Sequence, residues 1–198
     1  MTVPAELLRE LSREEINELP IKRYEGEVRL LESAQQLEHA AADWRDERVV
    51  GFDTETRPAF RPGESYLPAL AQIATARLVY LLPLQRVDGS GAMRTLLAAE
   101  HTVKSGVGMP DDMRALRKSF ELTEKSIVDL GAIARRHGLK QSGVRYLAAL
   151  LLGTRIPKGT KTSNWAAARL APQQIAYAAT DAWICRELYL KFEELNLL

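Results

Sequence analysis

The run Val49-Val50-Gly51-Phe52 is continuously apolar and ends abruptly at Asp53-Thr54-Glu55. Such a run reads as a central, buried strand, and a strand of that kind needs helices packed over its sheet. Side chains two apart on a strand leave the same face, so the carboxylates of Asp53 and Glu55 are aimed at one spot. Like charges at the end of a buried strand oppose each other's ionisation unless a cation or hydrogen-bond donors intervene, and a divalent metal is the simplest remedy. Taken alone, the triplet also fits an acidic, solvated strand end.

With 198 residues the chain is sized for one α/β core with at most a short appendage. Cys185 is the single cysteine. Intrachain disulfides and multi-cysteine zinc clusters are therefore excluded, which fits a reducing compartment. No apolar stretch approaches the roughly 18 residues needed to span a bilayer, and residues 1–21 are mixed and acidic rather than signal-like. A cytoplasmic protein with no membrane partner is expected. The net charge of +1 hides an uneven distribution. Residues 1–47 carry 12 acidic and 6 basic side chains, whereas residues 130–180 hold no Asp or Glu and eight basic residues: Arg135, Arg136, Lys140, Arg145, Arg155, Lys158, Lys161 and Arg169. A one-sign block inside a folded region is either a solvated surface or the footprint of a polyanion site.

Residues 1–23 mix short helical patterns with Pro4 and Pro20 and read as a peripheral arm; residues 24–31 alternate like an edge strand. Ser33 offers an N-cap to a helix through Trp44, with Leu37, Ala40, Ala41 and Trp44 on one face. Residues 48–52, 70–73 and 78–82 read as a three-strand meander, interrupted by a Pro-rich loop over 57–68. A helix through Ala99 and a strand over 101–107 follow. Further helices are expected over 111–120, 129–136 and 144–152, and a long one opens at Pro172 and runs to about Glu194. Strands first, helices interleaved and then dominant, suit a mixed α/β sheet flanked by helices.

Four acidic residues sit where neither surface nor core is a comfortable setting: Asp53, Glu55, Asp112 and Asp181. Asp181 lies among small apolar neighbours in Tyr177-Ala178-Ala179-Thr180-Asp181-Ala182-Trp183. Tyr177 and Asp181, four apart on a helix, share a face and can address one site; a buried tyrosine hydrogen-bonded to an aspartate is the alternative.

Three ordered segments resemble the DEDD superfamily of 3′-5′ exonucleases, in the branch that contains RNase D and the Werner syndrome protein's exonuclease domain. The resemblance covers about residues 24–195. Val50-Gly51-Phe52-Asp53-Thr54-Glu55 carries the first motif, followed by Arg57-Pro58-Ala59-Phe60. Lys104-Ser105-Gly106-Val107-Gly108-Met109-Pro110-Asp111-Asp112 carries the second, and alignment from the glycines favours Asp112 over Asp111. Ser163-Asn164-Trp165 and then 174–182 carry the third, where Tyr177 four before Asp181, with Ala176 five before, indicates the tyrosine branch. His39, His101 and His137 are then not expected to be catalytic.

The resemblance implies an RNase H-like fold with a mixed sheet of about five strands, an exonuclease domain over 24–198, and hydrolysis by two divalent metal ions, Mg²⁺ or Mn²⁺. It implies that Asp53 bridges the metals, that Glu55 and Asp181 bind the one activating water, and that Asp112 supports the other. Tyr177 would orient the nucleophile, since a phenol of pKa about 10 is a poor base at neutral pH. The expected partner is the 3′ end of single-stranded DNA or RNA, short oligonucleotides included, cleaved to nucleoside 5′-monophosphates. Lys158, Lys161 and Trp165 are candidate contacts to it, with Phe60 and Met109 as walls around the terminal nucleotides; Trp165 equally fits the core. Two other functions compete: a catalytically weak nucleic-acid-binding module of the same fold, and an aspartyl-phosphate phosphatase, a class that wants Asp-x-Asp where this chain has Asp-x-Glu.

Overall fold

A computed structural model describes residues 3–61, 63–157 and 163–198. Its centre is a six-stranded mixed sheet: β1 (Val28–Leu30), β2 (Val49–Thr56), β3 (Pro68–Ala74), β4 (Val79–Pro83), β5 (Val103–Gly106) and β6 (Ile127–Asp129). The strand order is β1-β4-β3-β2-β5-β6. The meander β2-β3-β4 is antiparallel, while β1 joins β4 and β5 joins β2 and β6 in parallel. The sequence predicts about five strands. The sixth, β6, is three residues long, too short for an apolar period, and its last residue doubles as a helix cap: Asp129 Oδ1 accepts from Ala132 N and from Gly108 N.

One face of the sheet is covered by α2 (Ala34–Arg45), α3 (Ser90–Ala98) and α4 (Met109–Leu116) over Val50, Phe52, Ala71, Ile73, Tyr80 and Leu82. Ser33 caps α2 by accepting from Gln36 N, and Trp44 meets Tyr80 edge to face with ring centroids 5.6 Å apart. The other face is covered by α5 (Leu130–Arg136), α6 (Val144–Leu152) and α7 (Pro172–Glu194). Pro172 sits in the first turn of α7, where a missing N–H costs nothing, and Gln174 Oε1 accepts from Ala171 N.

The approach of α7 to β2 is set by small side chains. Ala178, Ala179 and Ala182 line the contact, and a Cβ built on Gly51 would stand 1.9 Å from Ala182 O. Any other residue at 51 would lift the helix off the strand.

The N-terminal residues form a 3-10 turn (Ala5–Leu7) and α1 (Arg13–Glu18), the latter capped reciprocally by Ser12 and Glu15. They are tied to the opposite end of the chain. Tyr146 Oη of α6 accepts from Leu11 N and donates to Arg9 O, while Pro20 O accepts from Arg155 N. A cleft of about 940 Å³ between this arm and α6 is lined by Arg13, Arg145, Tyr146 and Arg155 among others, and by none of the four predicted carboxylates.

Candidate active site

β2 delivers two carboxylates. Gly51, Asp53 and Glu55 alternate onto the α7 side of the sheet, and α7 supplies Asp181 to meet them. One carboxylate oxygen from each of Asp53, Glu55 and Asp181 lies within 4.8 Å of the others, a set that could hold a metal ion. Asp181 is buried, at 7% exposure, whereas Asp53 and Glu55 still reach solvent.

Asp112 enters from the first turn of α4. Gly108 opens that helix with φ +86°, a conformation natural only to glycine. Gly106 lets the turn fold tightly, since a Cβ there would stand 2.6 Å from Phe52 O. Asp112 falls outside the compact group of three, and its Oδ1 accepts a hydrogen bond from the Thr54 hydroxyl. Its neighbour Asp111 points away, 81% exposed and paired with Arg114 at 2.7 Å. The preference for Asp112 over its neighbour thus has a geometric basis.

The electrostatics follow from this crowding. Burial raises the Asp53 carboxyl well above its ordinary range, and the charges of Asp112, Asp181 and Glu55 raise it further. Asp112 is pushed up to about 6, chiefly by burial, with the Thr54 hydrogen bond working against the rise. Tyr177 sits one turn before Asp181 on α7. Burial, the Asp181 charge and a hydrogen bond to Asp181 all raise its phenol, which keeps it protonated at neutral pH. A cluster that resists ionisation yet offers only hard oxygen donors fits a divalent cation such as Mg²⁺ or Mn²⁺.

The remaining predicted residues part company. Phe60 is 77% exposed on the loop after β2, where a strand could touch it. Met109 is fully buried and Trp165 is 2% exposed, its ring 6.0 Å from that of Tyr177. Neither offers a surface to a bound strand in this conformation, and both fill the core, Trp165 beside Tyr177. The expectation of direct contact is corrected to that extent: apolar side chains on these turns pack under the helices they introduce. Lys158 and Lys161 lie outside the described residues. Of the histidines, His39 is exposed, His101 Nε2 is 2.8 Å from Arg45 O, and His137 Nε2 is 2.9 Å from Leu197 O. Thr54 escaped the sequence reading, although it stands between the two acids. Its signal was the strand period, which turns it to the face that α4 covers.

Comparison with known proteins bears on what such a site belongs to. A family model described as a 3′-5′ exonuclease matches residues 28–196. The chain is 31% identical to the Homo sapiens exonuclease mut-7 homolog over 87% of its own length and 23% of that protein. It is 28% identical to an Arabidopsis thaliana 3′-5′ exonuclease over 93% of its length and 70% of the relative. In fold it resembles the crystal structure of the Aedes aegypti Nibbler EXO domain, with a TM-score of 0.79 at 22% identity, covering 88% of this chain and 92% of that one. The chain thus spans under a quarter of its human relative, and a strand and a helix that bring three carboxylates together agree with the family match: this chain belongs to the 3′-5′ exonuclease family.

Proposed function

We propose that the chain removes nucleotides from the 3′ end of single-stranded DNA or RNA and releases nucleoside 5′-monophosphates, using two Mg²⁺ or Mn²⁺ ions. The observation that carries this is the convergence of Asp53, Glu55 and Asp181 within 4.8 Å, with Asp112 close enough to raise the Asp53 carboxyl. Two hard cations held by these carboxylates would supply a more acidic water and stabilise charge on the phosphate oxygens.

The chain's own residues then divide the work. Asp53 neighbours Asp112 as well as Asp181 and Glu55 and would help to hold both ions. Glu55 and Asp181 would hold the one nearer the attacking water, and Asp112, set apart on α4 and fixed by Thr54, would hold the other. The Tyr177 phenol stays protonated, so it would donate a hydrogen bond that orients the nucleophile rather than take its proton. Exposed Phe60, with Lys158, Lys161 and the other cations of 130–180, would carry the strand through base contact and phosphate charge, without a sequence code. The catalytic unit would be residues 24–198, with 1–23 an arm; the family match over 28–196 supports that division. The free, buried Cys185 is compatible with a reducing, cytoplasmic setting. Among the described residues no helix is long and apolar enough to cross a membrane.

Matched DNA and RNA oligonucleotides of several lengths, labelled at the 5′ end and digested with Mg²⁺ or Mn²⁺, test the proposal. Stepwise shortening from the 3′ end, lost in chelator, is the expected result. Internal cuts, or a phosphoryl group trapped on Asp53 as in an aspartyl-phosphate phosphatase, would overturn it.

A further inference from the structure

Gln72 lies in the middle of β3 and is 0% exposed, yet among the described residues neither its Nε2 nor its Oε1 has a hydrogen-bond partner. Its strand is otherwise apolar apart from this one amide: Pro68, Ala69, Leu70, Ala71, Ile73 and Ala74 are all buried. A buried polar atom left unsatisfied costs about 1–3 kcal/mol, so an apolar side chain of similar size would serve the core better. Native interiors rarely retain such a group without a reason, and a role beside a functional site is one.

The register shows where that partner lies. Gln72 is directly opposite Asp53 across the antiparallel β2-β3 ladder. Residues paired in this way share a face, with Cβ atoms about 4.5–5.5 Å apart. That face is the one under α7: Ala74 and Leu70, two residues either side of Gln72, pack there with Ala178 and Ala182. On its other side Gln72 is paired with Leu81, which offers no polar side-chain atom. Asp53 is therefore the polar side chain toward which the register directs the amide. The span suits a direct hydrogen bond after a small rotation, or one through a single buried water.

We infer that Gln72 is a positioning residue for Asp53, its amide N–H donating to the Asp53 carboxylate and fixing which lone pairs face the metal. The inference rests on the metal reading of the Asp53 cluster and adds to it a residue that touches neither metal nor substrate. Donation from Gln72 would offset part of the like-charge crowding on Asp53 and hold the carboxylate in one orientation before a cation arrives. Partners of this sort on a ligating carboxylate contribute about 10- to 100-fold to metal affinity.

The test is Mn²⁺ binding by calorimetry, with thermal unfolding in chelator measured alongside, on the full chain and on Gln72→Met and Gln72→Leu. Gln72→Met fills the same space without polar atoms; it should melt at or above the wild-type temperature without metal and bind Mn²⁺ about 10- to 100-fold more weakly. Gln72→Leu likewise removes every polar atom with a shorter, branched side chain, so it should also bind more weakly, and it decides the matter should the methionine variant fail to fold. Wild-type Mn²⁺ affinity in either folded variant would overturn the inference alone. Mn²⁺ affinity indifferent to Asp53→Asn would overturn the metal reading and the inference with it. A merely structural Gln72 would shift the melting temperature and leave the affinity where it was.

Discussion

Two ionisable side chains are drawn into the same sheet on adjacent strands, Asp53 on β2 and Lys104 on β5, and their surroundings are opposite. Lys104 is 0% exposed, but its Nζ donates to Ala99 O and Thr102 O at 2.7 Å each. Ala99 follows the end of α3, where unpaired carbonyls and the helix dipole both favour a cation. Asp53 instead faces Asp112, Asp181 and Glu55, each of which makes its charge harder to bear. The lysine is a buried charge held by two carbonyls, whereas the aspartate sets one backbone N–H, from Thr54 at 2.9 Å, against three carboxylates. That contrast separates a structural ion from a functional one better than burial does, since both groups are desolvated.

The comparison can be broken most directly at the acids. Asp53→Asn or Asp181→Asn should lower Mg²⁺-dependent exonuclease turnover by about a thousandfold or more, corresponding to several kcal/mol at ~1.4 kcal/mol per tenfold. The same variants should melt higher than wild type in chelator because a like charge has gone. Unchanged turnover in either would remove the site's claim to function.

Gly51→Ala is expected to come next, with a loss of about 3 kcal/mol in urea unfolding. The new methyl group would stand 1.9 Å from Ala182 O and push α7, with Asp181, off β2. Wild-type stability there would mean that the crowding of the carboxylates does not depend on a tight helix.

Lys104 sharpens the contrast through pH. Burial pushes its ammonium down from 10.5 to about 8. Below about pH 8 the lysine is charged in both folded and unfolded chains, and the fold bears the full penalty. Between about 8 and 10.5 the folded lysine has lost its proton and the unfolded one has not, so its contribution to stability rises with pH, by up to about 3 kcal/mol. Unfolding free energies across pH 7–11 for wild type and Lys104→Met should differ in that slope, with turnover per folded molecule at neutral pH unaltered.

Thr54→Val is the smallest perturbation, about 1 kcal/mol, the worth of one hydrogen bond. The Thr54 hydroxyl opposes the rise of the Asp112 carboxyl, so its loss should lift that group further above about 6. The Asp112 carboxyl, followed by NMR titration of the metal-free chain, would move to higher pH by up to about one unit. A titration that stays in place would detach Thr54 from Asp112.

Much of this is legible in the amino-acid sequence, for reasons that differ by element. The helix caps at Ser33 and Pro172 and the apolar periods around them are local, and α2 and α7 begin where those residues place them. β6 was not legible, because a three-residue strand has no period and Asp129 reads as the first residue of a helix, which the structure makes it cap instead. Asp53 and Glu55 could be matched to one face by the strand period alone. The burial of Met109 and Trp165 could not be read that way, since a large apolar side chain at a turn fits a binding wall and a core equally well.

Local patterns along the chain encode the strand that ends in acids, the long helix that carries Tyr177 and Asp181 one turn apart, and the motifs themselves, because each depends on spacing within a few residues. Only the tertiary structure decided that α7 settles against Gly51 closely enough to bring Asp181 within 4.8 Å of Asp53 and Glu55, and that Asp112 rather than Asp111 turns inward. It also decided that Lys104 finds carbonyls while Asp53 finds other carboxylates. These are relations between segments distant along the chain, fixed by how closely packed surfaces approach, and no local pattern encodes that distance.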